Sequence, residues 1–315
     1  MDKKILSLVL ICLLFVVLFI GCINGHSKTR EESIPDDAVK MTPETDLYPP
    51  QIHSDEYSEP VQLGGSINTA GAEDSPFIPC CEEDTLYFFF TPDVDVPAEK
   101  QLLDGVTGIY VSKKVDGNWS SVKRVVLQDP LKLALDGCSF VEDDRMWFCS
   151  ARQGYSGIHW FTAEYVDGKW DNWENADFDP AYEVGELHFT GNFTELYYHS
   201  SRAGGHGGND LWYSQYQNGS WQEPVNIEAV NSEENEGYPY VTSDGSELWF
   251  TRSYLGTPGI FRSMKVNGTW QEPELILSQF AGEPTLDSEG DIYFVHHFYK
   301  DGAMIEADIY VAYKK

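Results

Sequence analysis

Carboxylates recur at one phase of this chain. Five apolar stretches open on Glu73-Asp74-Ser75, Asp136-Gly137-Cys138, Val184-Gly185-Glu186, Glu236-Gly237-Tyr238 and Gly282-Glu283-Pro284. Brought to one rim, Glu73, Asp136, Glu186, Glu236 and Glu283 repel one another, which raises carboxyl pKa values until a cation neutralises them. Binding of calcium or of a cationic ligand is one chemistry that follows. Hydrolysis of a glycan is another, with one carboxyl as acid and a second as base or nucleophile. A third reading has no chemistry: an acidic or polar residue opens each stretch because the turn into a strand favours it.

Other reactive residues point less clearly to a site. Cys138 and Cys149 flank the hairpin SFVEDDRMWF. With the turn at 142–145, Val141 faces Met146, and counting outward sets Cys138 opposite Cys149. A disulfide fits such a pair, and two buried thiols fit it as well. No CxxC spacing or paired histidine accompanies Cys80-Cys81, so no metal site is expected there. Arg152 and Arg202 are expected to pair with nearby acids such as Asp210. His188, His199, His296 and His297 alternate along strands as packing residues do. No GxSxG elbow, Walker loop, dinucleotide fingerprint or HExxH is present, and cofactors other than a calcium ion are not expected.

The elements that position these residues come from a repeat. A Gly-containing turn precedes Trp119, Trp170, Trp221 and Trp270, which lie 51, 51 and 49 residues apart. Ahead of each Trp runs a strand, GIYVS, GIHWF, DLWYS or GIFRS, and a fifth such strand, DIYVAY, reaches no Trp. A partner strand of the LYFFF type lies earlier in each unit. These are five units of about 50 residues, each a set of short antiparallel strands. One unit cannot bury both faces of its sheet, so the units must stack, and radial stacking is the usual solution at this period. The fifth unit lacks an outer strand, and EPVQLG (59–64) matches the wording of the outer strands WQEPVNI and WQEPELI. The expected fold is an all-β five-bladed propeller of four-stranded blades, closed by that strand. The repeat Trp residues are expected to pack between blades.

The phrases SSRAGGHGGNDLWYS, WQEPVNI and NEGYPYVTSDGSELWFTRS resemble WD40-like (PD40) repeats of the TolB type. The resemblance covers Glu59 to Lys315 and is strongest in units three and four. It implies a β-propeller used as a binding scaffold and names no ligand. Ser243-Asp244-Gly245 does not fit the sialidase Asp-box.

With 21 basic and 51 acidic side chains the chain carries a net charge of −30. That balance argues against nucleic acid and anionic membrane surfaces as partners. Residues 1–22 combine Lys3 and Lys4 with an apolar run that ends Phe19-Ile20-Gly21-Cys22. They read as a lipoprotein signal that leaves Cys22 lipidated, or as an uncleaved helix anchor. Either places the propeller outside the cytoplasm, on the membrane. Residues 23–58 read as an acidic, disordered tether and 59–315 as the propeller. Sequons start at Asn118, Asn192, Asn218 and Asn267, where turn chemistry and glycosylation are alternatives. The sequence points to a monomeric scaffold for a protein or glycan ligand, and a carbohydrate-active hydrolase working through the rim carboxylates is the competing reading.

Overall fold

In the computed structural model the described residues are 28–315, except 65, 81, 83, 130 and 179–184. The expected signal at 1–22, Cys22, residues 23–27 and Cys81 therefore lie outside them. Among the described residues no helix is long and apolar enough to cross a membrane.

The chain begins with α1 (Arg30–Ser33), capped by Thr29 and Glu32, then β1 (Gln51–Ile52) and β2 (Val61–Gln62). Five antiparallel meanders follow. The first is β3 (Ala72–Phe77), β4 (Thr85–Thr91) and β5 (Gly108–Val115), with the short α2 (Ala98–Gln101) between the last two. Its outer edge is β6 (Asn118–Trp119) and β7 (Lys123–Arg124), both paired with β5. The second is β8 (Ala134–Glu142), β9 (Arg145–Arg152), β10 (His159–Val166) and β11 (Lys169–Asn175). The third is β12 (Leu187–Phe189), β13 (Glu195–Ser200) and β14 (Asp210–Gln217), edged by β15 (Ser220–Trp221) and β16 (Val225–Asn226). The fourth is β17 (Glu236–Val241), β18 (Glu247–Tyr254) and β19 (Thr257–Val266), edged by β20 (Thr269–Trp270) and β21 (Glu274–Ser278). The fifth is β22 (Ala281–Leu286), β23 (Ile292–Lys300) and β24 (Ala303–Ala312). Its fourth strand is β2, with Val61 opposite Val311 and Gln62 opposite Tyr310.

Turn chemistry sets the hairpins. Asp116-Gly117, Asp167-Gly168, Asn218-Gly219 and Asn267-Gly268 all have positive φ at both residues. That is the turn whose twist matches a two-residue hairpin, and Asn, Asp and Gly adopt it at least cost. Asn218 and Asn267 thus do turn work, whatever else their sequons carry. The repeat Trp residues then reach across seams. Trp119 meets Tyr293 of the fifth meander edge-on at 6.3 Å, and Trp270 meets Tyr197 of the third at 6.0 Å. The core lies in these seams: Phe88, Phe90 and Tyr110 of the first meander cluster with Tyr293, Ile309 and Val311 of the fifth. The first strand of each meander lies beside that of the next, and β22 lies beside β3.

Residues 28–58 differ from the flexible tether expected of them. Arg30 is buried, donates to Ile67 O at 2.9 Å and stands over the Phe90 ring. Lys40 pairs with Glu306 and Asp308, Asp46 with His296 at 3.0 Å, and Glu56 with Arg262 at 2.6 Å. Tyr57 packs edge-on against Trp249 at 6.0 Å, and β1 extends the fourth meander beside β21. The segment holds by scattered single contacts, which leave no apolar period in the sequence.

Candidate functional site

The opening triplet of each meander is not regular strand. The ladders of β3, β8, β17 and β22 slip by one residue between Asp74 and Phe77, Gly137 and Phe140, Gly237 and Tyr240, and Gly282 and Thr285. The extra residue in each is left-handed: Ser75 (φ 46), Cys138 (φ 49), Tyr238 (φ 54) and Glu283 (φ 56). Non-glycine residues seldom adopt that conformation, and bulges of this kind re-aim a side chain. Glu186 holds the corresponding place before β12. Ser75, Cys138, Glu186, Tyr238 and Glu283 all line one cavity of about 30 Å³, together with His188. The five first strands all contribute to its wall.

The five expected carboxylates therefore divide. Glu73, Asp136 and Glu236 precede the bulges by two residues and turn away to arginines. Asp136 takes Arg152 Nη2 at 2.7 Å and Ser150 Oγ at 2.6 Å. Glu236 takes Arg252 Nε at 2.7 Å and Ser232 N at 3.1 Å. Glu73 takes Thr69 N at 2.8 Å and Thr69 Oγ1 at 2.6 Å, with Arg30 Nη1 at 3.5 Å. Each arginine also lies over an aromatic ring: Arg152 over Trp173 at 4.4 Å, Arg252 over Phe261 at 4.8 Å and Arg30 over Phe90 at 5.3 Å. These are buried, neutralised pairs. Burial still lifts Glu73 to about 7 against the pull of Thr69 and Arg30.

Glu186 and Glu283 are differently placed. The Ser75 hydroxyl oxygen stands between them, 3.1 Å from Glu186 Oε1 and 3.0 Å from Glu283 Oε2, with one hydrogen to share between the two. Ser75 N lies 3.0 Å from Glu283 Oε2 and 2.9 Å from Asp74 Oδ1. Among the described residues no lysine or arginine pairs with Asp74, Glu186 or Glu283. Burial, then the charge of Asp74 and of Glu186, raises Glu283 well above the usual carboxylate range. Burial and the neighbours Cys138 and Asp74 do the same to Glu186. The Tyr238 hydroxyl beside them is raised too, first by the charge of Glu283.

Histidines complete the surroundings. Asp74, Glu283 and His297 present ligand atoms within 4.8 Å of one another. Burial depresses the His297 pKa against the opposing charge of Asp74 and pushes His188 down to about 3. His188 Nδ1 stands 3.0 Å from Phe189 O, while its Nε2 has no partner among the described residues.

Counting outward from the β8–β9 turn holds as far as Phe140 opposite Trp147. Beyond it the bulge intervenes, Gly137 faces Cys149, and Cys138 and Cys149 are unbridged thiols. Cys138 still adjoins Cys149, and that contact with burial raises its pKa. Arg202 pairs with Glu223 at 3.0 Å, and Asp210 accepts the His206 N–H at 2.9 Å. Apart from this cavity, Trp147, Phe178, Phe189, Phe193 and Trp221 line a groove of about 630 Å³ with Glu142 and Glu164 on it. Asp74, Ser75 and His297 belong to this candidate site, and strand counting did not single them out. The signal was present: Ser75, Tyr238 and Glu283 each precede a proline.

Neither a protein-family model nor a curated protein sequence matches the chain. Among solved structures it is similar to Bacteroides ovatus xyloglucan PUL GH43B, with 14% identity over 80% of this chain and 53% of that one and a TM-score of 0.50. TolB from Acinetobacter baumannii matches 78% of this chain and 55% of its own at 10% identity and a TM-score of 0.42. XC5397 from Xanthomonas campestris, described as a gluconolactonase, matches 85% and 95% at 12% identity and 0.48. The chain spans about half the length of the GH43B and TolB chains. Meanders and likeness together define an all-β, β-propeller-like fold.

Proposed function

We propose that this chain is a five-bladed β-propeller, tethered on the outside of a membrane, that binds a cationic or polar ligand in its channel and acts as a scaffold. Three observations support the ring: five meanders, first strands adjacent in cyclic order, and β2 as the fourth strand of the fifth meander. The apolar run ending in Phe-Ile-Gly-Cys supports the tether, with lipid on Cys22. Mass spectrometry of membrane-extracted protein should find Cys22 as a modified first residue, and an intact Met1 would mean a helix anchor instead.

The observation that carries the binding reading is the pair Glu186 and Glu283, which share the Ser75 hydroxyl and have no basic partner among the described residues. Two carboxyls side by side, Glu283 buried and Glu186 half-buried, are costly while charged and unpaired, and a cation relieves the repulsion. A cavity of about 30 Å³ has room for about one water or one ion and none for a sugar ring. This favours binding over the carbohydrate-active hydrolase, which needs a glycan between its carboxyls.

The test is thermal unfolding of chelator-treated protein against a panel of inorganic and organic cations. A cation that binds the folded state raises the melting temperature by linkage. The rise should vanish in Glu186→Gln/Glu283→Gln and persist in Glu236→Gln. A rise that survives the double variant would remove the channel as the site.

A further inference from the structure

In β8, β17 and β22 the residue before the bulge residue is glycine. A Cβ at Gly137, Gly237 or Gly282 would stand 3.4, 3.2 and 3.3 Å from Phe89, His199 and Thr251 of the preceding meander. Glycine there lets neighbouring meanders pack closely. The first meander breaks the pattern, because β3 carries Asp74 and the neighbouring β23 offers His297.

Asp74 and Glu283 are held so that each keeps one oxygen for another ligand. Ser75 N–H engages Asp74 Oδ1 and Glu283 Oε2, leaving Oδ2 and Oε1. His297 Nδ1 lies 3.4 Å from Phe280 O, a carbonyl that can only accept, so Nδ1 carries the proton and Nε2 the lone pair. A ring anchored in this way through its other nitrogen is the usual state of a metal-bound histidine.

A second observation is independent of the acids. His188, only 8% exposed, lines the cavity that Glu283 also lines, and its Nε2 has no hydrogen-bond partner among the described residues. His188 Nδ1 stands between Phe189 O at 3.0 Å and the Val241 N–H at 3.4 Å, so the ring is fixed through that nitrogen while Nε2 is left without a partner among the described residues. Buried polar atoms seldom go unpaired without an unseen water or ion to explain them.

We propose that Asp74, Glu283 and His297 form a site for one first-row divalent metal ion, zinc or manganese in kind, that carries a water into the channel cavity. This rests on the channel-binding reading above and names its ligand. Two carboxylates and one imidazole suit these ions, whereas calcium takes oxygen ligands alone. Three protein ligands leave a fourth position open for water. The cavity of about 30 Å³ accommodates that water. The metal-bound water is the hydrogen-bond partner that His188 Nε2 lacks.

The experiment uses the propeller chain without a polyhistidine tag, stripped by chelator and titrated with Zn²⁺, Mn²⁺, Co²⁺ and Ca²⁺. Binding is read by calorimetry, by the visible absorption of bound Co²⁺ and by melting temperature. One equivalent of Co²⁺ or Zn²⁺ should bind. His297→Gln and Glu283→Gln should each weaken binding at least tenfold and alter or abolish the Co²⁺ band. Glu236→Gln should bind as the parent does. Far-ultraviolet circular dichroism of every variant separates lost ligands from lost fold, and the stoichiometry of the parent stands without any variant. No stoichiometric binding of a transition ion, or His297→Gln binding like the parent, overturns the proposal. If Ca²⁺ or an organic cation alone shifts the parent, and Glu186→Gln/Glu283→Gln abolishes that shift, the metal site falls while the channel-binding reading stands.

Discussion

Glu236 and Glu283 are both buried carboxylates of a first strand, two positions apart in the repeat: Glu236 precedes its bulge residue by two, and Glu283 is a bulge residue. Glu236 meets Arg252, and the arginine lies over Phe261. Glu283 meets Ser75, Asp74 and Glu186, and no arginine or lysine among the described residues pairs with it. The first arrangement repeats in three meanders and joins a first strand to its partners. The second occurs once among the described residues, in the cavity that all five first strands line. A charge that the protein neutralises for itself is architecture; a group of charges left for something else to neutralise is a site.

The strongest way to break this comparison is to remove an architectural cation. Arg152→Met leaves Asp136 buried without its partner and should destabilise the protein by about 3–5 kcal/mol. Urea unfolding measures it, and a loss below about 1 kcal/mol would erase the distinction. Glu236→Gln keeps the shape but weakens a charge-assisted hydrogen bond, a change of about 1.5–3 kcal/mol in the destabilising direction. The same substitution at Glu283, in metal-free protein, should move stability by about 1 kcal/mol or less, and upward, because it removes like-charge repulsion. Opposite signs for the two glutamines are the expected result.

A pH series sharpens the contrast through His199, a half-buried ring with no carboxylate hydrogen-bonded to it among the described residues. Burial pushes its pKa down to about 4, and its Nδ1 accepts the Tyr238 N–H at 3.2 Å. The unfolded chain takes up the proton near pH 6.5, so this contribution is fully present above that and is lost as pH falls toward 4. By pH 5 the loss amounts to about 2 kcal/mol. His199→Asn, which retains an acceptor for Tyr238, should flatten the slope between pH 6.5 and 4. An unchanged slope would assign it to other groups. The smallest effect is expected at the Asp244 turn, where one carboxylate oxygen takes Ser246 N at 3.0 Å and Thr242 Oγ1 at 2.7 Å. Asp244→Ala should lower stability by about 1 kcal/mol in denaturant unfolding, since the bonds are exposed.

The sequence made the architecture legible because turns and alternation are local. Asp-Gly and Asn-Gly mark the hairpins, the Trp phase marks the seams, and the EPV wording links Val61 to the outer strands. The site was half legible because a bulge is not local to any pattern of period two. Counting by twos through Gly137 set Cys138 opposite Cys149, although the ladder there pairs Gly137 instead. Taking Gly282-Glu283-Pro284 as the fifth triplet put Glu283 in line with Asp74 rather than with Ser75. Aligning on the prolines Pro76, Pro239 and Pro284 gives the frame the structure has. The buried contacts of residues 28–58 left no trace in the sequence, since each is a single residue reaching a distant partner.

The pairing of Val61 with Val311 sets an order of events in time. About 250 residues separate the two, so at roughly 5–20 residues per second the first strand waits on the order of 10–50 s for its partner to be made. A long apolar edge exposed for that time would invite pairing with other chains. The regular ladder of this strand covers only Val61 and Gln62; Ser58 and Leu63 add single bonds to Tyr313 O and Ile309 O, and Pro60, which has no N–H, interrupts the run between them. Its brevity makes it a weak template while it waits, and a sufficient one when the last hairpin arrives.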